Sequence, residues 1–136
     1  MGTHKAERCD YPDVAKTLAN AVLKDSNSLG VLVCGTGIGI SIAANKVDGI
    51  RCALCHDHYT ASMAKKHNNA NVLALGGRVL GVELAKDIMQ TYLETQFEGG
   101  RHEKRVNKIM ALVGFPGIIE FVNYINQKKQ ILNLLQ

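Results

Sequence analysis

The densest chemistry in this 136-residue chain lies in the run Val33-Cys34-Gly35-Thr36-Gly37-Ile38-Gly39-Ile40-Ser41. A thiol and two hydroxyls are set among three alternating glycines. Thiolates act as nucleophiles and bases, and thiols at the start of a helix ionise more readily than free ones. Glycines let a backbone turn tightly and approach a ligand, while the N–H groups at a helix start cradle negative charge. The run therefore reads as a cradle for an oxyanion, with a cysteine at its mouth. Two better-known glycine loops fit poorly. The nucleoside-triphosphate loop needs four residues between its glycines and then Gly-Lys-Ser/Thr, and no lysine is present here. The dinucleotide fingerprint needs Gly-x-Gly-x-x-Gly, and although Asp57 falls about where a ribose-binding acid would stand, Gly39 comes one residue early.

Two further groups carry chemistry. Arg101 and Arg105 stand one helical turn apart just after Gly99-Gly100, so their guanidinium groups project from one face and can hold a phosphate dianion bidentately. A solvated basic face is the plainer reading of the same spacing. His67-Asn68 ends a helical stretch, where a histidine serves either as a surface or capping residue or as a proton shuttle. The string Cys52-Ala53-Leu54-Cys55-His56 matches a haem-attachment pattern, and His58 nearby suggests zinc. On a strand, however, positions three apart face opposite sides, so these thiols diverge and read as small buried hydrophobes. No metal site is expected from them.

The elements that position these groups alternate between short apolar runs and amphipathic stretches. Val31–Cys34 reads as a strand buried on both faces, Ile38–Asn45 as a helix, Ile50–Cys55 as a strand and Tyr59–His67 as a helix. Asn71–Leu75 reads as a third strand closed by Gly76-Gly77. Val82–Phe97 follows as a helix with Leu84, Ile88, Tyr92 and Leu93 at helical spacing. Another helix starts at Arg101 with Val106, Ile109, Met110 and Val113 on one stripe. Upstream, Val14–Lys24 reads as a helix, and positions 1–10 hold no strand. Alternating strands and helices predict an α/β fold, an open parallel sheet with helices on both faces. Three strands make a small sheet of this kind, which therefore reads as incomplete. Phe115-Pro116-Gly117 breaks the last helix, and the segment from Ile118 to Gln136 reads as an apolar, helical tail.

Composition narrows the function classes. A net charge of +4 without a run of like charges or interleaved aromatics does not suggest nucleic acid, but allows a small anionic substrate. No window approaches eighteen consecutive apolar residues and no leader pattern opens the chain, so no membrane span and a cytoplasmic location are expected. In that compartment the four cysteines are expected to be free thiols.

The string from Cys34 to Lys46, with Gly49-Ile50-Arg51, His67-Asn68, Asn71-Val72-Leu73, and Glu98-Gly99-Gly100-Arg101-His102 with Arg105, resembles the ribose-5-phosphate isomerase B family. That family is shared with galactose-6-phosphate isomerase subunits. The likeness includes Asp10-Tyr11-Pro12 and runs without gaps from Gly2 to Ile109. It implies a Rossmann-like αβα sandwich, a homodimer or dimer of dimers whose pocket is completed across the subunit interface, and a reaction needing no metal or other cofactor. It also implies interconversion of ribose 5-phosphate and ribulose 5-phosphate through a cis-enediolate. Cys34 would move the proton between C2 and C1, supported by Thr36, and the backbone N–H groups from Gly35 through Gly37, Ile38 and Gly39 to Ser41 would stabilise the enediolate. His67 would assist ring opening, Asn68 and Tyr11 would contact sugar hydroxyls, and Arg101 and Arg105 would hold the phosphate. The His-Asn pair and the Gly-Gly-Arg-His-x-x-Arg ending favour ribose 5-phosphate over galactose 6-phosphate or another hexose 6-phosphate.

One departure stands out. Family members place a strand ending in Asp-His, a helix and a second strand ahead of the point matched here by Gly2-Thr3. The Asp would take part in ring opening and the His in phosphate binding. The resemblance thus makes residues 1–111 an N-terminally truncated isomerase domain and leaves 112–136 as an unmatched tail. A chain of this extent is expected to turn over poorly, and a non-catalytic sugar-phosphate-binding remnant of the family is the alternative reading.

Overall fold

The computed structural model describes residues 1–112 together with Lys129. Its elements run α1 (Tyr11–Lys24), β1 (Gly30–Cys34), α2 (Ile38–Asn45), β2 (Cys52–Leu54), α3 (His58–Lys66), β3 (Val72–Gly76), α4 (Val82–Glu94) and α5 (Arg101–Leu112). The three strands are parallel in the order β1-β3-β2, so the last strand inserts between the first two. Gly30 lies opposite Val72 and Cys34 opposite Gly76, while Cys52 also faces Val72. All three strands therefore finish on the same side of the sheet.

The pleat divides the core into two layers. Val72 and Ala74 of β3 pack with Leu32 of β1, with Ala15, Ala19 and Val22 of α1, and with Ile40 and Ala44 of α2. Leu73 and Leu75 point the other way, against Ala61 and Ala64 of α3 and Ile88 and Tyr92 of α4. Alternate side chains thus feed opposite faces, and every residue of β3 is buried, as a strand covered by helices on both sides requires. The expected α/β class, an open parallel sheet with helices on both faces, is the architecture observed.

The local sequence accounts for the helices. In α1, Pro12 occupies the first turn, where its missing N–H is harmless, and Asp13 and Lys24 sit at the dipole ends that suit their charges. This helix begins at Tyr11, three residues before the expected Val14. In α3, Asp57 caps the first turn through Oδ1, which accepts from the Thr60 N–H at 2.7 Å. Helix α4 stops at Glu94 rather than Phe97, and the Thr95 hydroxyl closes its last turn by donating to the Thr91 carbonyl at 2.6 Å.

Three further expectations are corrected. Strand β2 covers Cys52–Leu54, not Ile50–Cys55, because side-chain amides take over its flank: Asn45 both accepts from and donates to the Cys52 backbone, and Asn71 accepts from the Arg51 N–H. Burial on both faces describes β3 and not β1, whose Val33 is 57% exposed, since among the described residues β1 forms a sheet edge. Leu84 and Leu93 share the helical spacing of α4 but remain well exposed; only Ile88 and Tyr92 of that set enter the core. Val113, the Phe115-Pro116-Gly117 break and the tail from Ile118 lie outside the described residues. No described helix is long and apolar enough to cross a membrane.

This division of α4 predicts contrasting stabilities. Ile88→Ala leaves a cavity in a closed core and should lower the unfolding free energy by about 2–5 kcal/mol. Leu93→Ala, on the open face, should stay within about 0.5 kcal/mol of the parent. Urea titration of both variants checks the difference, and equal losses would show that the helix is rotated from the described orientation.

Candidate active site

The glycine run forms a tight link from the end of β1 to the start of α2. The Cys34 carbonyl accepts from the Gly77 N–H at 2.8 Å and the Gly35 carbonyl from the Arg78 N–H at 2.9 Å, which fastens the loop to the segment leaving β3. Gly37 caps α2 with φ 77°, and a Cβ there would lie 2.8 Å from the Leu75 carbonyl carbon. Both its backbone conformation and its neighbours demand glycine. At Gly39 a Cβ would lie 2.6 Å from Cζ of Tyr11, so the aromatic ring at the head of α1 occupies the space that glycine leaves.

Within this link the Gly37 N–H donates to Sγ of Cys34 at 3.2 Å, and the Ile38 N–H donates to Oγ1 of Thr36 at 3.3 Å. Gly39 and Ile40 follow in the first turn of α2, where backbone N–H groups have no partner within the helix. They are the donors free to face an anion. Ser41 is placed differently from the expectation: its N–H donates to the Gly37 carbonyl at 3.1 Å and its hydroxyl to the Ile38 carbonyl at 2.7 Å. Both of its protons are thus held inside the helix. Arg78 was not singled out from sequence, yet its guanidinium lies 3.6 Å from where a Gly35 side chain would begin. The available signal was its position just past the end of a strand, on the side of an open sheet where ligands collect.

The remaining predicted residues gather at the other end of the sheet. His67 follows the last turn of α3 and stacks on His102 of α5, with ring centroids 4.1 Å apart and planes 11° from parallel. The loop after it is held by Arg51, whose guanidinium donates to the Asn68 and Asn69 carbonyls at 2.8–3.1 Å. Asn69 takes up left-handed backbone at φ 44°, a conformation that asparagine tolerates. Nζ of the buried Lys65 donates to Oδ1 of Asn69 and to the Ala70 carbonyl, both at 3.3 Å. The Glu98 N–H donates to the Lys66 carbonyl at 3.1 Å, bringing the Gly99-Gly100 turn and the start of α5 alongside. Asn68, Arg101 and Arg105 are exposed there.

The predicted site residues therefore fall into two candidate half-sites. Cys34, Thr36, Tyr11 and Arg78 lie beyond the carboxyl ends of the strands; His67, Asn68, Arg101 and Arg105 lie beyond the amino ends. The four residue steps of β3 alone separate them by about 13 Å at about 3.3 Å per step. The Cys52 and Cys55 thiols diverge as the strand reading requires, Cys52 packing against the α1/α2 layer and Cys55 within the α3/α4 layer. Burial pushes the Cys52 thiol up to about 12 and raises that of Cys55 as well, so both stay protonated near neutrality.

Fold and loop together define an α/β protein in which a glycine-rich link at the end of a strand carries a free, half-buried thiol. The chain belongs to the ribose/galactose isomerase family, whose family model matches residues 1–109. It is 51% identical over 111 residues to ribose-5-phosphate isomerase B of Escherichia coli K12, covering 82% of this chain and 74% of that protein. It is 57% identical over 99 residues to the D-erythrulose-4-phosphate isomerase of Pectobacterium atrosepticum, covering 73% and 65%. Among solved structures, ribose-5-phosphate isomerase B of Clostridium thermocellum superposes with a TM-score of 0.79 at 53% identity, over 82% of this chain and 75% of the other. The Mycoplasma genitalium enzyme, solved with bound ribulose-5-phosphate, gives 0.78 at 42% identity over 82% and 74%. The Rossmann-like fold follows from these likenesses.

The stacked histidines yield a pH test. Burial is the main cause that holds His102 below the ordinary histidine value; His67, Arg101 and Arg105 add to it, and Glu98, with Oε2 at 3.5 Å from Nε2, opposes it. Below a pH of about 6.5 the unfolded chain then binds more protons than the folded one, so stability falls as pH drops through that range. The melting temperature between pH 7.5 and 5.5 should decline less in His102→Phe than in the parent. Identical slopes would remove His102 from the account.

Proposed function

We propose that this chain interconverts ribose 5-phosphate and ribulose 5-phosphate, with Cys34 as the base that carries a proton between C2 and C1. The observation that carries the reading is the Cys34 sulfur at the mouth of the glycine cradle, receiving the Gly37 N–H at 3.2 Å. Removing the C2 proton of the open-chain aldose places negative charge on the enediolate oxygens. The Gly39 and Ile40 amides, set in advance at the helix start, are the donors for that charge, and one such donor contributes roughly 3 kcal/mol to transition-state stabilisation. Thr36 supports the proton transfer. Arg78 supplies a cation on the same side of the sheet.

The other half of the site comes from a second copy of the chain. From that copy His67 assists ring opening, Asn68 meets sugar hydroxyls, and Arg101 and Arg105 grip the phosphate from consecutive turns of α5, while Tyr11 meets the sugar from the cradle side. Support for a homodimer comes from the distance between the half-sites and from the exposed apolar residues Val33, Ile38 and Ile42 beside the cradle. A two-fold interface that joins the carboxyl-end half of one copy to the amino-end half of its partner builds two complete pockets.

The 57% identity to a D-erythrulose-4-phosphate isomerase supports a second reading, a four-carbon sugar phosphate handled by the same enediolate chemistry. Steady-state assays with ribose 5-phosphate, D-erythrulose 4-phosphate and galactose 6-phosphate decide between them. The highest kcat/KM is expected for ribose 5-phosphate.

With that substrate, Cys34→Ala should lower kcat by about 10²–10⁴-fold while the fold is retained. Arg101→Ala and Arg105→Ala should each weaken binding of the sugar phosphate by about tenfold or more, the worth of a charge-assisted hydrogen bond. Near-normal turnover in Cys34→Ala would remove the thiol from the mechanism, and unchanged affinity in both arginine variants would remove the phosphate grip.

A further inference from the structure

The cluster of His67, Glu98 and His102 has a second chemistry. One donor atom from each residue lies within 4.8 Å of those of the other two. Three points so spaced surround a centre within about 2.8 Å of each, against zinc bond lengths of about 2.0–2.2 Å to imidazole nitrogen and carboxylate oxygen. We propose that these three residues form a binding site for a single Zn2+ or a similar divalent transition-metal ion, and that the ion blocks His67.

The site is held by backbone. His67 ends α3, and the Glu98 N–H on the Lys66 carbonyl ties the third ligand to the same turn. The left-handed pair Gly99 and Gly100 then reverses the chain so that His102 returns beside Glu98, with Oε2 and Nε2 already 3.5 Å apart. His102 is buried and fixed, whereas His67 and Glu98 retain enough exposure to adjust. The rings are stacked, so their lone pairs do not converge in this conformation; turning the His67 ring about its side-chain bonds directs a nitrogen at the shared centre. Two imidazoles and one carboxylate are the donor set of open zinc sites, with the remaining position left for water.

The same set argues against Mg2+ and Ca2+, which require mostly oxygen ligands. Arg101 and Arg105 on the same helix oppose any cation bound mainly by charge, which further selects an ion bonded to nitrogen. Metal binding stands on this geometry alone. The block of turnover rests in addition on the assignment of His67 to ring opening, and the two are separated by measuring binding without substrate.

Calorimetric titration of the full chain with ZnCl2 should give one saturable site per chain in a Cys9→Ser background, which removes the exposed thiol. Glu98→Gln and His67→Asn, both at partly exposed positions that leave the core intact, should each weaken it about tenfold or more, at least as much as losing an outer-shell partner of a metal ligand. Substituting Co2+ reads the ligands directly: a visible spectrum without a thiolate-to-cobalt charge-transfer band is expected. Unchanged zinc affinity in both variants, or a thiolate band, would overturn the site. With binding established, Zn2+ should inhibit isomerisation in competition with the sugar phosphate; binding without inhibition would overturn the block and count against His67 in catalysis, while leaving the site standing.

Discussion

Three strands that run parallel must all finish on one side of their sheet, and this polarity decides where each functional group can go. A loop leaving β1 and a loop leaving β3 meet beyond the carboxyl ends, which is why Cys34 and Arg78 are neighbours although distant in sequence. A loop that enters β3 must lie at the opposite end, which is why His67 and Asn68 are remote from both. Helix α5 follows the second group because Glu98 is bonded to the end of α3. The chemistry of isomerisation needs a base, a ring-opening group and a phosphate grip around one small molecule. Parallel pairing places the residues proposed for these roles in two groups, which the proposed association of two copies would reunite.

The carboxyl-end half is shaped chiefly by what is missing from its glycines. A side chain at Gly37 would strike the backbone of β3, and one at Gly39 would strike the ring of Tyr11. Their absence lets the loop pass close against the end of β3 and against the head of α1. The amino-end half is shaped by polar groups instead. Arg51 and Lys65 satisfy the carbonyls of a loop that belongs to no strand, holding the His67 turn in place with hydrogen bonds rather than apolar contact.

Much of this was legible in the residues themselves. The alternation of apolar runs and amphipathic stretches marks every described strand and helix, since burial against a parallel sheet leaves a periodic trace, and Ile38–Asn45 needed no adjustment. The opposite facing of Cys52 and Cys55 follows from strand geometry alone. Less legible were features that depend on neighbours distant in sequence. The shortening of β2 depends on the side chains of Asn45 and Asn71, and the exposure of Val33 on which strand lies beside it. The side of the sheet on which His67 falls requires the strand order, and periodicity carries no such information. Arg78 acquires meaning only once β1 and β3 are seen to be adjacent. Ser41 shows the reverse case, a residue well placed in the motif whose hydrogen-bonding protons the helix itself consumes.

Chemical proximity reads out whether the cysteine of one chain meets the histidine of another. A chain carrying Cys9→Ser and His67→Cys has thiols at both half-sites, and a bismaleimide shorter than the roughly 13 Å length of β3 cannot join them within one copy. Mixing isotopically light and heavy chains before cross-linking and mapping the joined peptides reports which copies each thiol came from. The expected product is a covalent dimer containing mixed light–heavy links between positions 34 and 67. Links between those positions confined to single chains, or none at all, would contradict it.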